Sequence, residues 1–261
     1  MEKDAVALEI DPIAQRGFEA GADAYERGRA DYPADAVRRL VEAAGIRPGS
    51  HVIDLGAGTG KFTRLLVPTQ ATLLAVEPVK AMRHKFASVL PGVKALEGSA
   101  EAMPVEDGWA DAVFVAQAFH WFNGEKTLAE CHRVLKPGGV LGLVWNVRDE
   151  SVDWIAELTR IIDVHERSAP RYRSFEWEKA FKQTALFGPL QQRSFAHAHK
   201  GTVEAVVDRV ASTSFIAALP DDQRGSVLDQ TRDLLLTHPS TAGSSEIETK
   251  YLTEVYWCKK L

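Results

Sequence analysis

The sequence predicts an α/β fold, a doubly wound sheet with helices on both faces. Three features predict it. An apolar strand breaks into a glycine turn and then a helix at residues 52–66. Strand and helix patterns alternate from there to residue 148. Residues 247–257 alternate apolar with mostly polar positions, as a half-buried antiparallel strand does.

The turn organises the chain. Val52 to Leu55 reads as a buried strand, Gly56, Gly58 and Gly60 follow at alternate positions, and Phe62, Leu65 and Leu66 resume at helical spacing. In α/β folds such a turn lies at the carboxyl edge of the sheet, where ligands bind. Glycine lets the main chain turn tightly and lets a ligand approach it. A phosphate loop would need Ser or Thr after Gly60-Lys61 and a glycine at position 55, where the chain has Phe62 and Leu55. A dinucleotide fingerprint would need Gly or Ala where Lys61 stands. The spacing left is Asp54-x-Gly56-x-Gly58-x-Gly60. Thr72 to Val76 reads as a second strand ending in Glu77. An acid about 20 residues beyond the turn suits ribose hydroxyls.

These residues resemble the first motif and the ribose-binding acid of the class I S-adenosylmethionine (SAM)-dependent methyltransferases. The resemblance implies that Asp54, Gly56, Gly58, Gly60 and Glu77 hold SAM. Val93 to Glu97 is a short third strand leading into Gly98-Ser99-Ala100-Glu101-Ala102-Met103-Pro104. In the family this loop borders the adenine, which brings in Ser99, Ala100 and Glu101; an aspartate is common where this chain has Ser99. Trp109 to Gln117 is a strand apolar enough to be covered on both faces, ending in Gln117-Ala118-Phe119-His120-Trp121-Phe122. In the family this is the loop beneath the sulfonium, and the string resembles the type 11 group of small-molecule methyltransferases. It puts Gln117 at the cofactor and His120 at the pocket. The Arg133-Val134-Leu135-Lys136-Pro137-Gly138-Gly139 run is a frequent family signature. Tyr25-Glu26-Arg27-Gly28-Arg29-Ala30-Asp31-Tyr32-Pro33 resembles a segment of trans-aconitate and other small-acid methyltransferases, which folds across the open sheet edge and helps close the pocket.

The other elements follow in order. Phe18, Ala22 and Tyr25 fit a short amphipathic helix; Val37, Leu40, Val41 and Ala44 make a helical face stopped by Gly45. Val79, Met82, Phe86 and Val89 make another, ended by Pro91-Gly92. Leu128, Cys131 and Leu135 form the next, stopped by Lys136 to Gly139 before a strand from Val140 to Trp145. Val152, Ile155, Leu158, Ile161 and Ile162 make a helix, and the basic stretch from Arg167 to Arg173 reads as solvated surface. Phe181 and Leu186 belong to a helix ended by Gly188-Pro189, and Leu190 to His199 is the sixth strand. His197 and His199 share one strand face, but no third metal ligand is near and no metal is expected. Two valine- and leucine-rich helices within about 202–237 read as a cap over the site.

The 261 residues and 45% apolar composition allow a sizeable core. The net charge of −5 argues against a nucleic-acid substrate. No stretch is apolar enough to span a membrane or to act as a signal peptide, and Cys131 and Cys258 read as buried fillers, so a cytoplasmic protein is expected. No signature of an oligomeric state is present. The resemblance implies the seven-stranded methyltransferase sheet with its seventh strand inserted antiparallel. It divides one domain into a pocket-closing segment (1–33), a SAM-binding core (34–148) and a remainder with the helical cap (149–261).

The expected activity is methyl transfer from SAM to a small molecule. Arg29 and Arg148 suit a carboxylate acceptor, bidentate where geometry permits. Tyr25, Tyr32, Trp121 and Trp145 complete the expected acceptor side, and His120 is the best candidate base, since histidine titrates near neutrality. The alternatives are methylation of a quinone or polyketide-like ring between Trp121 and Trp145, a non-catalytic SAM-binding regulator, and a nicotinamide dehydrogenase.

Overall fold

The computed structural model describes residues 26, 28–166 and 169–261. The helix expected around Phe18, Ala22 and Tyr25, and Tyr25 as an acceptor contact, lie outside the described residues.

Seven strands form one sheet: β1 His51–Leu55, β2 Thr72–Val76, β3 Lys94–Leu96, β4 Ala110–Ala116, β5 Leu135–Arg148, β6 Gln191–Gly201 and β7 Ile247–Lys259. Their order is β3-β2-β1-β4-β5-β7-β6. The first five are parallel, and β7 lies antiparallel between β5 and β6. The chain runs outward from β1 to β3 and then returns beside β1 as β4. That reversal makes β1 and β4 the switch point, with a crevice at their carboxyl ends.

Period-two alternation buries both faces. Val52, Phe114 and Val144 pack under Leu40 of helix α1 (Ala34–Ala43) and Phe62, while Ile53, Leu55, Val113, Val115, Leu141 and Leu143 face the other way. There they meet Leu128 and Cys131 of α4 (Gly124–Val134). Each such side chain contributes about 1.5–3 kcal/mol on full burial, so a one-residue slip in β1 would exchange both faces at once. Between these helices lie α2 (Thr63–Leu66) and α3 (Lys80–Val89). A third cluster joins α5 (Asp153–Asp163) to α7 (Val203–Ala211), α8 (Ser214–Ala217) and α9 (Asp221–Thr237), with Trp121 packed against it. Through Trp121 this helical layer meets the loop that follows β4.

Several boundaries differ from the sequence reading. The helix after the glycine turn is one turn long and passes into a 3₁₀ turn at Val67–Thr69, which carries Pro68. Helix α4 stops at Val134; Leu135 is already extended and opens β5, with Lys136 to Gly139 as an excursion between its pairings at Ala110↔Leu135 and Ala112↔Val140. Leu186 lies beyond α6 (Glu178–Gln183), because Thr184 leaves the helical conformation and caps the Leu186 N–H with its hydroxyl. Residues 202–237, expected to hold two helices, form three. Cys131 and Cys258 are buried and free, and burial pushes the Cys258 thiol up to about 12. Among the described residues no helix is long and apolar enough to cross a membrane, and no group of three His, Cys, Asp or Glu is arranged to hold a metal.

Candidate active site

The glycine turn leaves β1 with positive φ at Gly56 (68°), Gly58 (56°) and Gly60 (88°), a conformation that costs side-chain-bearing residues energy. A Cβ on Gly56 would stand 2.9 Å from the Ala118 Cβ and 3.1 Å from Phe122 Cζ, so bare backbone lets the turn meet the loop after β4. Glu77, at the end of β2, fixes the turn from the side. Its carboxylate accepts the Gly58 N–H at 2.8 Å and the Val79 N–H at 2.9 Å. Burial raises its pKa against those two bonds.

Asp54 sits beneath the turn, 2% exposed. Its Oδ2 accepts the Thr63 hydroxyl at 2.5 Å; its Oδ1 is buried with no hydrogen-bond partner. Burial pushes the carboxyl up to about 7, with the Glu77 charge adding and the Thr63 bond opposing. A buried, half-satisfied acid of this kind is unusual, since buried polar atoms are ordinarily hydrogen-bonded, and it leaves Oδ1 able to accept from a donor or cation. Glu26 reaches over the turn, taking the Thr59 hydroxyl at 2.5 Å and pairing with Arg64.

Gln117 ends β4 in a left-handed conformation, φ 59°, held by its N–H to the Val144 carbonyl (2.9 Å) and its side-chain amide to the Asn146 carbonyl (3.2 Å). Asn146 in turn donates to the Asp31 carbonyl at 3.1 Å and accepts the Thr253 hydroxyl at 2.7 Å. It ties the segment before α1 to the sheet edge. That segment also touches α7 closely: a Cβ on Gly28 would lie 2.5 Å from the Arg209 nitrogen. Ser99 and Ala100 are buried in their loop. Glu101 accepts the Asn123 N–H at 2.9 Å, which fixes the start of α4. Tyr32 is buried edge-on against Phe62.

A cavity of about 130 Å³ opens at the carboxyl ends of β4 and β5. Its walls include Gln117, His120, Trp121, Trp145, Arg29 and Arg148, so six of the residues singled out in the sequence meet there. A smaller space beside it is lined by Arg29, Tyr32, Lys61 and Gln117, which links the cavity to the glycine turn. Trp145 is only 1% exposed and donates its indole N–H to His120 Nδ1 at 3.2 Å. An indole nitrogen only donates, so Nδ1 is unprotonated. Burial pushes His120 down to about 3, with Arg171 and Arg29 adding. The ring is therefore neutral with its proton on Nε2. In this arrangement His120 has a hydrogen to offer at Nε2 while its Nδ1 is taken by Trp145, which bears against the base role expected of it.

The expectation that the stretch from Arg167 to Arg173 is solvated surface does not hold for half-buried Arg171; Arg173 is exposed, and residues 167 and 168 lie outside the described residues. Arg171 and Arg173 line the cavity and share Asp163 and Glu166 in ion pairs, with Arg171 stacked 5.0 Å from the Phe215 ring centre. Arg209 lines the cavity too. Arg148 is pushed down to about 10 by burial and by Arg209 beside it, and stays charged at neutral pH. Arg171, Arg209 and Asn146 were not legible as site residues, since each lies outside the motifs and their elements converge only in three dimensions.

Comparison with known proteins agrees with this geometry. Residues 53–143 match the model of a methyltransferase domain. An uncharacterized methyltransferase of Mycobacterium bovis is 40% identical over 90% of this chain and 92% of its own length. A methyltransferase-like protein of Schizosaccharomyces pombe is 34% identical over 95% and 97%. The fold also matches a Haemonchus contortus phosphoethanolamine N-methyltransferase, solved with phosphomonomethylethanolamine and S-adenosylhomocysteine, with a TM-score of 0.57 at 14% identity over 93% of this chain and 57% of that one. With the strand order, the glycine turn and its buried acids, these relatives establish that the chain belongs to the class I SAM-dependent methyltransferases.

Proposed function

We propose that the enzyme methylates a carboxylate oxygen of a small organic acid. The observation that carries this reading is the cavity beside the glycine turn, into which Arg29 and Arg148 face. Its volume of about 130 Å³ is near that of a cavity known to hold benzene, about 150 Å³, which supports a small-molecule acceptor.

In this reading Asp54 takes the cofactor's amino-acid cation on its unpartnered Oδ1, and Gly56, Gly58 and Gly60 admit the cofactor to the main chain. Glu77 turns its remaining lone pairs to the ribose, Ser99, Ala100 and Glu101 border the adenine, and Gln117 lies at the reacting end. SAM supplies a methyl group on a sulfonium, whose leaving group is a neutral thioether. The acceptor oxygen forms the new C–O bond as the methyl–sulfur bond breaks, the electron pair stays on sulfur, and no proton moves. A carboxylate therefore needs no base, which suits a neutral His120 whose Nε2–H orients the acceptor. Arg29 and Arg148 hold the acid so that its carboxylate oxygen stands in line. The cap and the segment tied down by Asn146 keep water out. Positioning of this kind supplies roughly 7–11 kcal/mol in favourable models.

Trp121 and Trp145 on the cavity wall favour the second reading, methylation of a quinone or polyketide-like ring. Trp145, however, is almost wholly buried and already committed to His120. Turnover of methyl-labelled SAM with a panel of small acids separates the two. A label released as methanol by mild alkali is expected, as from an ester. Base-stable label on a ring compound, with none on any acid, would overturn the proposal.

A further inference from the structure

The charge count of the cavity exceeds what one carboxylate satisfies. Arg171 and Arg173 are balanced by Asp163 and Glu166. Arg148 and Arg209 make no ion pair among the described residues; Arg209 reaches only the Thr213 hydroxyl, at 3.4 Å. Glu150, the one acid on the lining, is exposed at the rim and pairs with no cation among the described residues. Two guanidiniums from different elements, the end of β5 and helix α7, thus line one cavity side by side. Like charges gathered in a poorly solvated place destabilise a fold unless a counter-charge arrives. Arg171 stands beside them, its plane held against Phe215 and its charge already balanced, so it frames the space rather than demanding a further anion.

We propose that the acceptor is a small dianion: a carboxylic acid bearing a second oxyanion, with that second group held between Arg148 and Arg209. This rests on the carboxylate reading above and goes further by naming the acceptor's charge. Planar guanidiniums take oxyanions bidentately, so two of them fix both the position and the rotation of the far group and leave the near carboxylate for reaction. Methylation then lowers the acceptor from two negative charges to one. The product is held by the far group alone, which favours its release over rebinding of a second dianion.

The test uses the protein saturated with S-adenosylhomocysteine and titrates it calorimetrically with three probe sets. They are succinate, glutarate and fumarate; the half-amide of each; and 3-phosphonopropanoate, in which a phosphonate replaces one carboxylate. At least one dianion should bind roughly 10- to 100-fold more tightly than its half-amide, the range expected for losing charge-assisted bonds. The phosphonate arm tells whether the far group is a carboxylate or a phosphoryl-type oxyanion. Arg148→Gln and Arg209→Gln should each erase the preference while leaving S-adenosylhomocysteine affinity within about twofold. Half-amides binding as tightly as their diacids throughout, or a preference unchanged in both variants, would overturn the dianion while leaving a monocarboxylate acceptor intact. The ligand comparison needs no variant, so a misfolded substitution does not blunt it. If no acid binds and ring compounds are turned over instead, the carboxylate reading falls and the dianion with it.

Discussion

Asp54→Asn tests the cofactor cradle through the stability of the protein itself. In the folded chain the Asp54 carboxyl keeps its proton up to about pH 7; its ordinary value is 3.8. Between those two pH values the unfolded chain has released the proton and the folded chain has not. The unfolded state then binds fewer protons, so stability falls as pH rises from about 4 to 7 and levels off above 7. At about 1.36 kcal/mol per pH unit the interval amounts to roughly 4 kcal/mol. Asparagine keeps an oxygen for the Thr63 hydroxyl and cannot ionise, so the variant escapes this loss. Urea unfolding of the cofactor-free protein across pH should show the two chains equally stable near pH 4. The variant should be more stable by a few kcal/mol at pH 7.5. Its affinity for S-adenosylhomocysteine should fall roughly 10- to 100-fold, because the ionised acid is what the ligand's cation would meet. A wild type more stable than the variant above pH 7, or a variant that binds the ligand undiminished, would refute the assignment.

Gly58→Val should yield a folded protein that no longer binds SAM by calorimetry, since a branched residue at φ 56° strains the turn by about 1–3 kcal/mol and fills the ligand's space. The kcat/KM profile between pH 5 and 8 should carry no limb from His120, whose proton already sits on Nε2. A limb near pH 6.5 that vanishes in His120→Gln would restore the base role. Arg29→Lys should raise KM for the acid roughly tenfold with SAM affinity nearly intact, because lysine keeps the charge and loses the planar fork. Loss of SAM affinity alone would assign Arg29 to the cofactor's carboxylate.

The expected cofactor half of the candidate site was readable in sequence because its elements carry local signals. A glycine turn after a buried strand, and an acid at the end of the next strand, are readable from spacing; the structure joins them through the Gly58–Glu77 bond. Strand existence was likewise legible from apolar runs, and the errors fall at boundaries such as Leu135 and Leu186, where backbone conformation changes without a change in hydrophobic pattern. The acceptor half was only partly legible. Arg148 is visible as a strand-end residue, but Arg171 looks like any surface arginine until Asp163, Glu166 and Phe215 surround it. The tautomer of His120 is set by Trp145, 25 residues away in sequence, and no local pattern encodes that contact.

The most direct measurement is a crystal structure with S-adenosylhomocysteine and the best-turned-over acid bound together. The thioether should lie beside Gln117 and a carboxylate oxygen on the extension of the methyl–sulfur line, about 3–3.5 Å from the methyl's position, with Arg148 on the acid. An acid bound away from Arg148, or a sulfur facing away from the cavity that Arg29 and Arg148 line, would contradict it.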